Sequence, residues 1–214
     1  MFACGTARFA GGTSEFHLPC SVSVLETGMR PRLITWLLFA ALLGLALAQA
    51  PSSTFQGEFL LSFNDAESKV LSLAKAMPTD KYSWRPGPGI RSVSEVYIHI
   101  ANGNRLLLGL TNGMPPRDEF VKLVGGYEQR EKMLTDKGKI VADLEASFKA
   151  VHNALAAAGD RQLSRSIQVF GAKTTPRGVY MTLSSHVSEH LGQLIAYARM
   201  NGIAPPWSRP ASSQ

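Results

Sequence analysis

The sequence predicts an all-α fold, a four-helix bundle with one long crossover connection. Three observations carry that prediction. Apolar residues recur at spacings of three and four in four separate segments, helix caps bound those segments, and only one short stretch alternates as a strand would.

The first predicted helix spans residues 54–77. Phe55, Phe59, Phe63, Ala66, Val70, Leu73 and Met77 share one face, and Pro78 ends it. Residues 81–90 (K-Y-S-W-R-P-G-P-G-I) crowd turn formers together and make a loop despite Trp84. The second helix opens at Ser92-Val93-Ser94-Glu95, a capping box in which Ser92 and Glu95 satisfy free amides of the first turn, and closes near Asn112-Gly113. Residues 114–134 form the long connection, with no period that stands out. The third helix covers residues 136–158, with Ile140, Leu144, Phe148, Val151 and Leu155 on one side and Gly159 as its stop. Residues 164–170 alternate weakly ahead of Gly171, which fits a short strand or hairpin. The fourth helix has Thr175 as cap and Pro176 at its first position, and closes at Asn201-Gly202 before Pro205-Pro206. Met181, Met200 and Trp207 read as core or closing contacts, the usual place of apolar residues at helical spacing. Residues 49–207 thus make one bundle domain, and 208–214 a flexible tail.

The first 48 residues stand apart from this domain. From Met29 the chain reads M-R-P-R and then L-I-T-W-L-L-F-A-A-L-L-G-L-A-L-A, a short basic region, an apolar run and a small-residue ending. That is the layout of a secretory signal peptide at residues 29–48. Both Ala46-Leu47-Ala48 and Ala48-Gln49-Ala50 fit the cleavage pattern, but the second leaves Pro51 at the new terminus, so cleavage is expected after Ala48. The apolar run of residues 33–48 is short for a membrane span, which needs about 20 residues. The expectation is export to the periplasm or beyond, with no stable membrane span after cleavage. An uncleaved anchor is the less favoured alternative. Residues 1–28 carry no periodic pattern and read as a non-native leader from an upstream start.

Cys4 and Cys20 both lie in that leader, so the bundle has neither a disulfide nor a thiolate to offer a metal. Residues 49–214 hold 19 Lys+Arg against 14 Asp+Glu, a net +5 spread without a basic run. No clustered stripe with interleaved aromatics appears, and nucleic-acid binding is not expected.

The chemistry concentrates in L-S-S-H-V-S-E-H-L-G-Q-L, residues 183–194. Val179, Leu183, His186, His190, Leu194 and Tyr197 fall within one stripe at 100° per residue, which points both imidazoles toward the bundle interior. A buried imidazole needs a partner. Two of them at i and i+4 converge on one point and can hold a single cation. A third ligand has to come from another helix. His99 sits early in the second helix at the edge of its apolar stripe, with Gly103 one turn on leaving room beside it. His152 sits at the margin of the third helix and reads as half-exposed, and His17 lies in the leader. The match of His186-Val187-Ser188-Glu189-His190 to an inverted zincin motif is set aside, because no acidic residue follows His190 to complete such a site. Glu189 reads as a helix-surface carboxylate and Glu95 as a cap.

W-R-P-G-P-G-I-R-S-V-S-E-V-Y-I-H-I-A-N-G-N-R (residues 84–105), with H-V-S-E-H-L-G-Q-L-I-A-Y-A-R-M-N-G-I-A-P-P (residues 186–206), resembles the DinB family of DinB/YfiT-like metalloenzymes. The resemblance covers roughly residues 55–207. It implies a four-helix bundle with a long crossover, often a homodimer, holding a divalent ion such as zinc or nickel on His99, His186 and His190. Some members resemble thiol-dependent S-transferases or isomerases. The expected function is a metal-dependent hydrolase of unknown small-molecule substrate. The alternatives are a non-catalytic metal-binding or interaction module and a thiol-dependent S-transferase, the latter disfavoured by export away from cytosolic thiols. No catalytic base is assigned.

Overall fold

A computed structural model of the chain describes residues 54–208. The expected leader, the signal peptide with its cleavage position, both cysteines and residues 209–214 lie outside the described residues. Helix α1 is Phe55–Ala76, α2 is Val93–Leu110, α3 is Arg117–Met133, α4 is Lys137–Ala157, α5 is the short Asp160–Ser164 and α6 is Pro176–Met200. Strands β1 (Ile167–Val169) and β2 (Ala172–Thr174) pair antiparallel, with Ile167 opposite Thr174. Among the described residues no helix is long and apolar enough to cross a membrane.

The four long predicted helices form as their caps direct. Thr54 caps α1 through its hydroxyl, Ser92 and Glu95 close the capping box of α2, Asp136 caps α4, and Thr175 with Pro176 starts α6. The far end of α1 is finished by Lys137, whose Nζ donates to the carbonyls of Lys75 and Met77 at 2.9 and 2.7 Å. A cation there suits the negative end of the helix dipole.

The bundle is a ring in which α1 packs on α6 and α4, and α2 packs on the same two. Its core is fully buried apolar residues from all four: Phe63 and Leu73, Ile98 and Ile100, Leu144 and Phe148, Leu183 and Leu194. One end is aromatic. Phe59 stacks on Phe63 at 4.9 Å and meets the edge of Tyr180 at 5.4 Å, while Phe63 meets Phe148 at 5.6 Å. Offset and edge contacts of this kind add to the area each ring buries.

Three features depart from the sequence reading. The long connection contains a full helix, α3, packed mainly against α2. Gly159 does not end a segment for good, because it is the N-cap of α5 after α4 has already stopped at Ala157. Met181 and Met200 are not core, being 58% and 63% exposed, while Trp207, 40% exposed, serves as a closing contact. The buried stripe of α6 runs through Tyr180, Leu183, Val187, Leu191, Leu194 and Ala198. Met181 lies one 100° step off it and Met200 about 200° past Ala198. Trp207 sits in a 3-10 turn, Pro206–Ser208, laid against α1. The predicted strand segment is the β1–β2 hairpin, turned by Phe170 and Gly171 at φ 50° and 78°.

Candidate metal centre

His99 on α2 and His186 and His190 on α6 come together, each half-buried, with one ring nitrogen from each within 4.8 Å of the others. The ring centroids are 4.5 Å apart for His186–His190, 4.6 Å for His99–His190 and 5.1 Å for His99–His186. The α6 pair flanks the buried stripe instead of lying at its centre, so it faces the space beneath α3. His152 is elsewhere, donating to or accepting from Glu67 at 2.6 Å.

Gly103 makes the close approach of α2 and α6 feasible. A Cβ built there would overlap Cε1 of His186 and fall 2.8 Å from its Nδ1. The α2 backbone therefore forms one wall of the pocket holding that ring.

Hydrogen bonds settle which nitrogens face inward. Burial alone would raise the Glu131 carboxyl, but hydrogen bonds from His99 and Arg91 outweigh it and hold Glu131 below the usual range. A carboxylate can only accept, so His99 Nδ1–H donates to Glu131 Oε1 at 2.7 Å and leaves Nε2 with its lone pair. At His190 the partner is Gln193, whose Nε2 donates to the Tyr197 hydroxyl at 2.9 Å. Its Oε1 is thus the acceptor from His190 Nδ1–H at 2.9 Å, and again Nε2 is left free. Tyr197 in turn donates to the Arg91 carbonyl at 3.2 Å, and Arg91 Nε donates to Glu131 Oε2 at 2.8 Å. Two histidines on separate helices are oriented by one connected polar chain. Carboxylate or carbonyl partners on the distal nitrogen are the usual support of metal-ligating histidines.

The Nε2 atoms of His99 and His186 lie 3.3 Å apart. Two lone pairs cannot share that gap without a proton or a cation between them. Two nitrogens bonded to one tetrahedral ion at about 2.0–2.1 Å lie about 3.3–3.4 Å from each other, so this spacing fits a shared ion. His186 Nδ1 is buried without a hydrogen-bond partner among the described residues. Burial first, then the neighbouring His190, His99 and Arg91, push the His186 pKa down to about 3, with Glu131 working weakly against them. Burial likewise lowers His190, with His99 adding to it and Gln193 and Glu189 opposing. Both rings are therefore neutral near pH 7, the state in which imidazole binds a metal.

The centre opens into a cavity of about 230 Å³ walled by His99, His186 and Gly103 and, across from them, by Val124, Tyr127 and Glu131 of α3. Of the acidic residues weighed from sequence, Glu189 is exposed and Glu95 is committed to its cap and to Arg85 at 3.0 Å. The partners that sequence reasoning missed are Glu131, Arg91, Gln193 and Tyr197. Gln193 had a usable signal, since it stands three residues after His190 on one helix face. Glu131 had none, because its helix went unrecognised.

A model of the DinB superfamily matches residues 62–194. No curated protein matches the chain significantly. Among solved structures, a DinB-like protein from Bacillus cereus ATCC 10987 aligns with TM-score 0.57 and 20% identity, over 69% of this chain and 93% of that one. YfiT from Bacillus subtilis, described as a probable metal-dependent hydrolase with an unusual four-helix bundle topology, aligns with TM-score 0.57 and 14% identity, over 73% and 93%. A mycothiol-dependent maleylpyruvate isomerase aligns with TM-score 0.55 and 14% identity, over 66% of this chain and 63% of that one. At these identities the likeness is one of fold.

Proposed function

The chain belongs to the DinB superfamily, and from that premise we propose that His99, His186 and His190 hold one divalent ion, zinc or nickel, and that the protein is an exported metal-dependent hydrolase of a small molecule. The observation that carries this reading is the gathering of three ring nitrogens from two helices, with the distal nitrogens of His99 and His190 already engaged by Glu131 and Gln193. YfiT, alike in fold and described as a probable metal-dependent hydrolase, supports it. Export rests on the sequence pattern of residues 29–48.

When bound, such an ion supplies Lewis acidity toward a carbonyl or phosphoryl oxygen and activates water near neutral pH. The chain's own part is to present three imidazole donors, keep His186 and His190 neutral by burial, and leave one side open. The cavity beside His99 and His186 favours a catalytic centre over a closed, ligand-saturated one. Glu131, itself held by Arg91, holds His99 in place.

Elemental analysis of the purified protein beside a His190→Ala variant tests the centre. The variant is expected to lose most of its bound metal, and equal metal content in both overturns the assignment. Loaded wild type is then taken through a panel of esters, amides and phosphoesters, with the variant as blank.

A further inference from the structure

We propose that the compound presented to the histidines is an anionic amphiphile, with a carboxylate held by Arg91 and an unbranched apolar tail lying between α2 and α3. The proposal rests on the metal-centre reading for where the reacting group sits, and on separate features for what is recognised.

The tail is read from the walls. Leu106, Leu107 and Val124 form the apolar side of the cavity next to the histidines. A second hollow of about 300 Å³ shares Leu107 and Thr182 with it and continues onto Val169 and Phe170 of the hairpin. Two modest hollows that adjoin at Leu107 and Thr182 suit a thin chain laid from one to the other better than a compact ring. Phe170 stands at the far end, at φ 50° and 65% exposed, with its ring set edge-on to Phe120 at 5.6 Å. That positive φ is what a two-residue hairpin turn requires at its central positions. Here it presents an aromatic ring over the end of the groove.

The head is read from Arg91. Its Nε is spent on Glu131, while Nη1 and Nη2 have no acceptor among the described residues. Arg91 lines the cavity and also a polar hollow of about 600 Å³ on the other side, which it shares with Glu128 and Glu131. The guanidinium is thus anchored at one corner, with its remaining donors facing open space. That fork matches a carboxylate in a way a lysine would not. Glu131 is satisfied by His99 and Arg91, and Glu128 lies at the exposed rim. With a divalent ion on the histidines, the charge facing this space is net positive.

Calorimetric titration of the metal-loaded full chain with butyrate, hexanoate and octanoate, and with hexanol, tests the proposal. Affinity is expected to rise about two- to fourfold per added methylene, the scale of burying one CH₂ group. Hexanoate should bind at least tenfold tighter than hexanol. Val124→Trp, which fills the cavity from its α3 wall, should flatten the chain-length series. Arg91→Gln should erase the preference for hexanoate over hexanol, compared at matched metal content or with both proteins stripped. Phe170→Ala should weaken octanoate and leave butyrate unchanged. An affinity independent of chain length in the wild type, an unaltered series in Val124→Trp, or an unaltered carboxylate preference in Arg91→Gln overturns the proposal. Elemental analysis of each sample separates the two readings. A chain-length series without any bound metal retires the metal centre alone, and a loaded protein with a flat series retires the amphiphile alone.

Discussion

The smallest residue at the centre decides whether His186 fits. Alanine is favoured over glycine inside a helix by about 1 kcal/mol, so propensity alone makes Gly103→Ala stabilising. The geometry says otherwise for the site, because the new Cβ would take the space of the His186 ring. We expect Gly103→Ala to keep its helix content and lose at least tenfold in metal affinity, read by competition against a chromogenic chelator. Unchanged affinity would mean that His186 has another place to stand. Glu131→Gln is the companion case. Gln still offers an oxygen to His99 Nδ1–H, but it removes the charge that steadies that bond and the Arg91 partner. Loss of an outer partner of a ligating histidine typically costs about 10–100-fold in metal affinity, and the same titration is expected to fall in that range.

Helix α3 shows how an element can be held without an apolar stripe. Glu131 is its one buried residue. Apart from Phe120, which packs on Leu110, Ile167 and Val179, its attachment is polar: Asn102 of α2 donates to the Tyr127 carbonyl at 3.1 Å and accepts from Arg130 at 2.8 Å. Asp143 of α4 pairs with Arg130 at 2.5 Å and with Arg105 at 2.6 Å. Burial alone would raise the Asp143 carboxyl, but hydrogen bonds from Arg130 and Arg105 win and depress it. That stabilisation is present above the unfolded carboxylate pKa of about 3.9 and is lost only as pH falls through the lower folded value. Asp143→Ala should cost about 1–3 kcal/mol, and hydrogen exchange should quicken in residues 117–133 first while α1 and α4 stay protected. Uniform loss of protection would show that α3 is not a separate unit. The same polarity explains what the sequence concealed. His99, His186, His190 and the space at Gly103 were legible because helical spacing carries them, and Ser92, Asp136 and Thr175 announced their helices. Amphipathic patterning is silent about a helix clamped by Asn102 and Asp143, so α3 and Glu131 were missed. Met181 and Met200 misled for the opposite reason, being apolar in kind but off the stripe.

Over the whole molecule, the histidine cluster couples stability to pH. An unfolded imidazole takes up its proton near pH 6.5. In the folded, metal-free protein His186 does so only at about 3, and His190 below its ordinary value. Between those limits the unfolded chain binds more protons than the native one, so acidification favours unfolding. The slope is at most about 1.4 kcal/mol per pH unit for each histidine, and it ends where His186 itself protonates. A metal held as proposed would work in the same direction, since it would bind the native arrangement and be displaced by protons on its ligands. Urea unfolding of the chelator-treated protein at pH 7.5, 6 and 5 isolates the first contribution when it is set beside His186→Gln, which has no such ring to keep neutral. Wild type should lose stability relative to the variant as the pH drops through that window. Parallel pH dependences would mean that the ring titrates as it does in water and is not shielded in the native protein. Repeating the wild-type series with saturating zinc should raise the pH 7.5 midpoint and steepen the fall toward pH 5, because both contributions then disappear together.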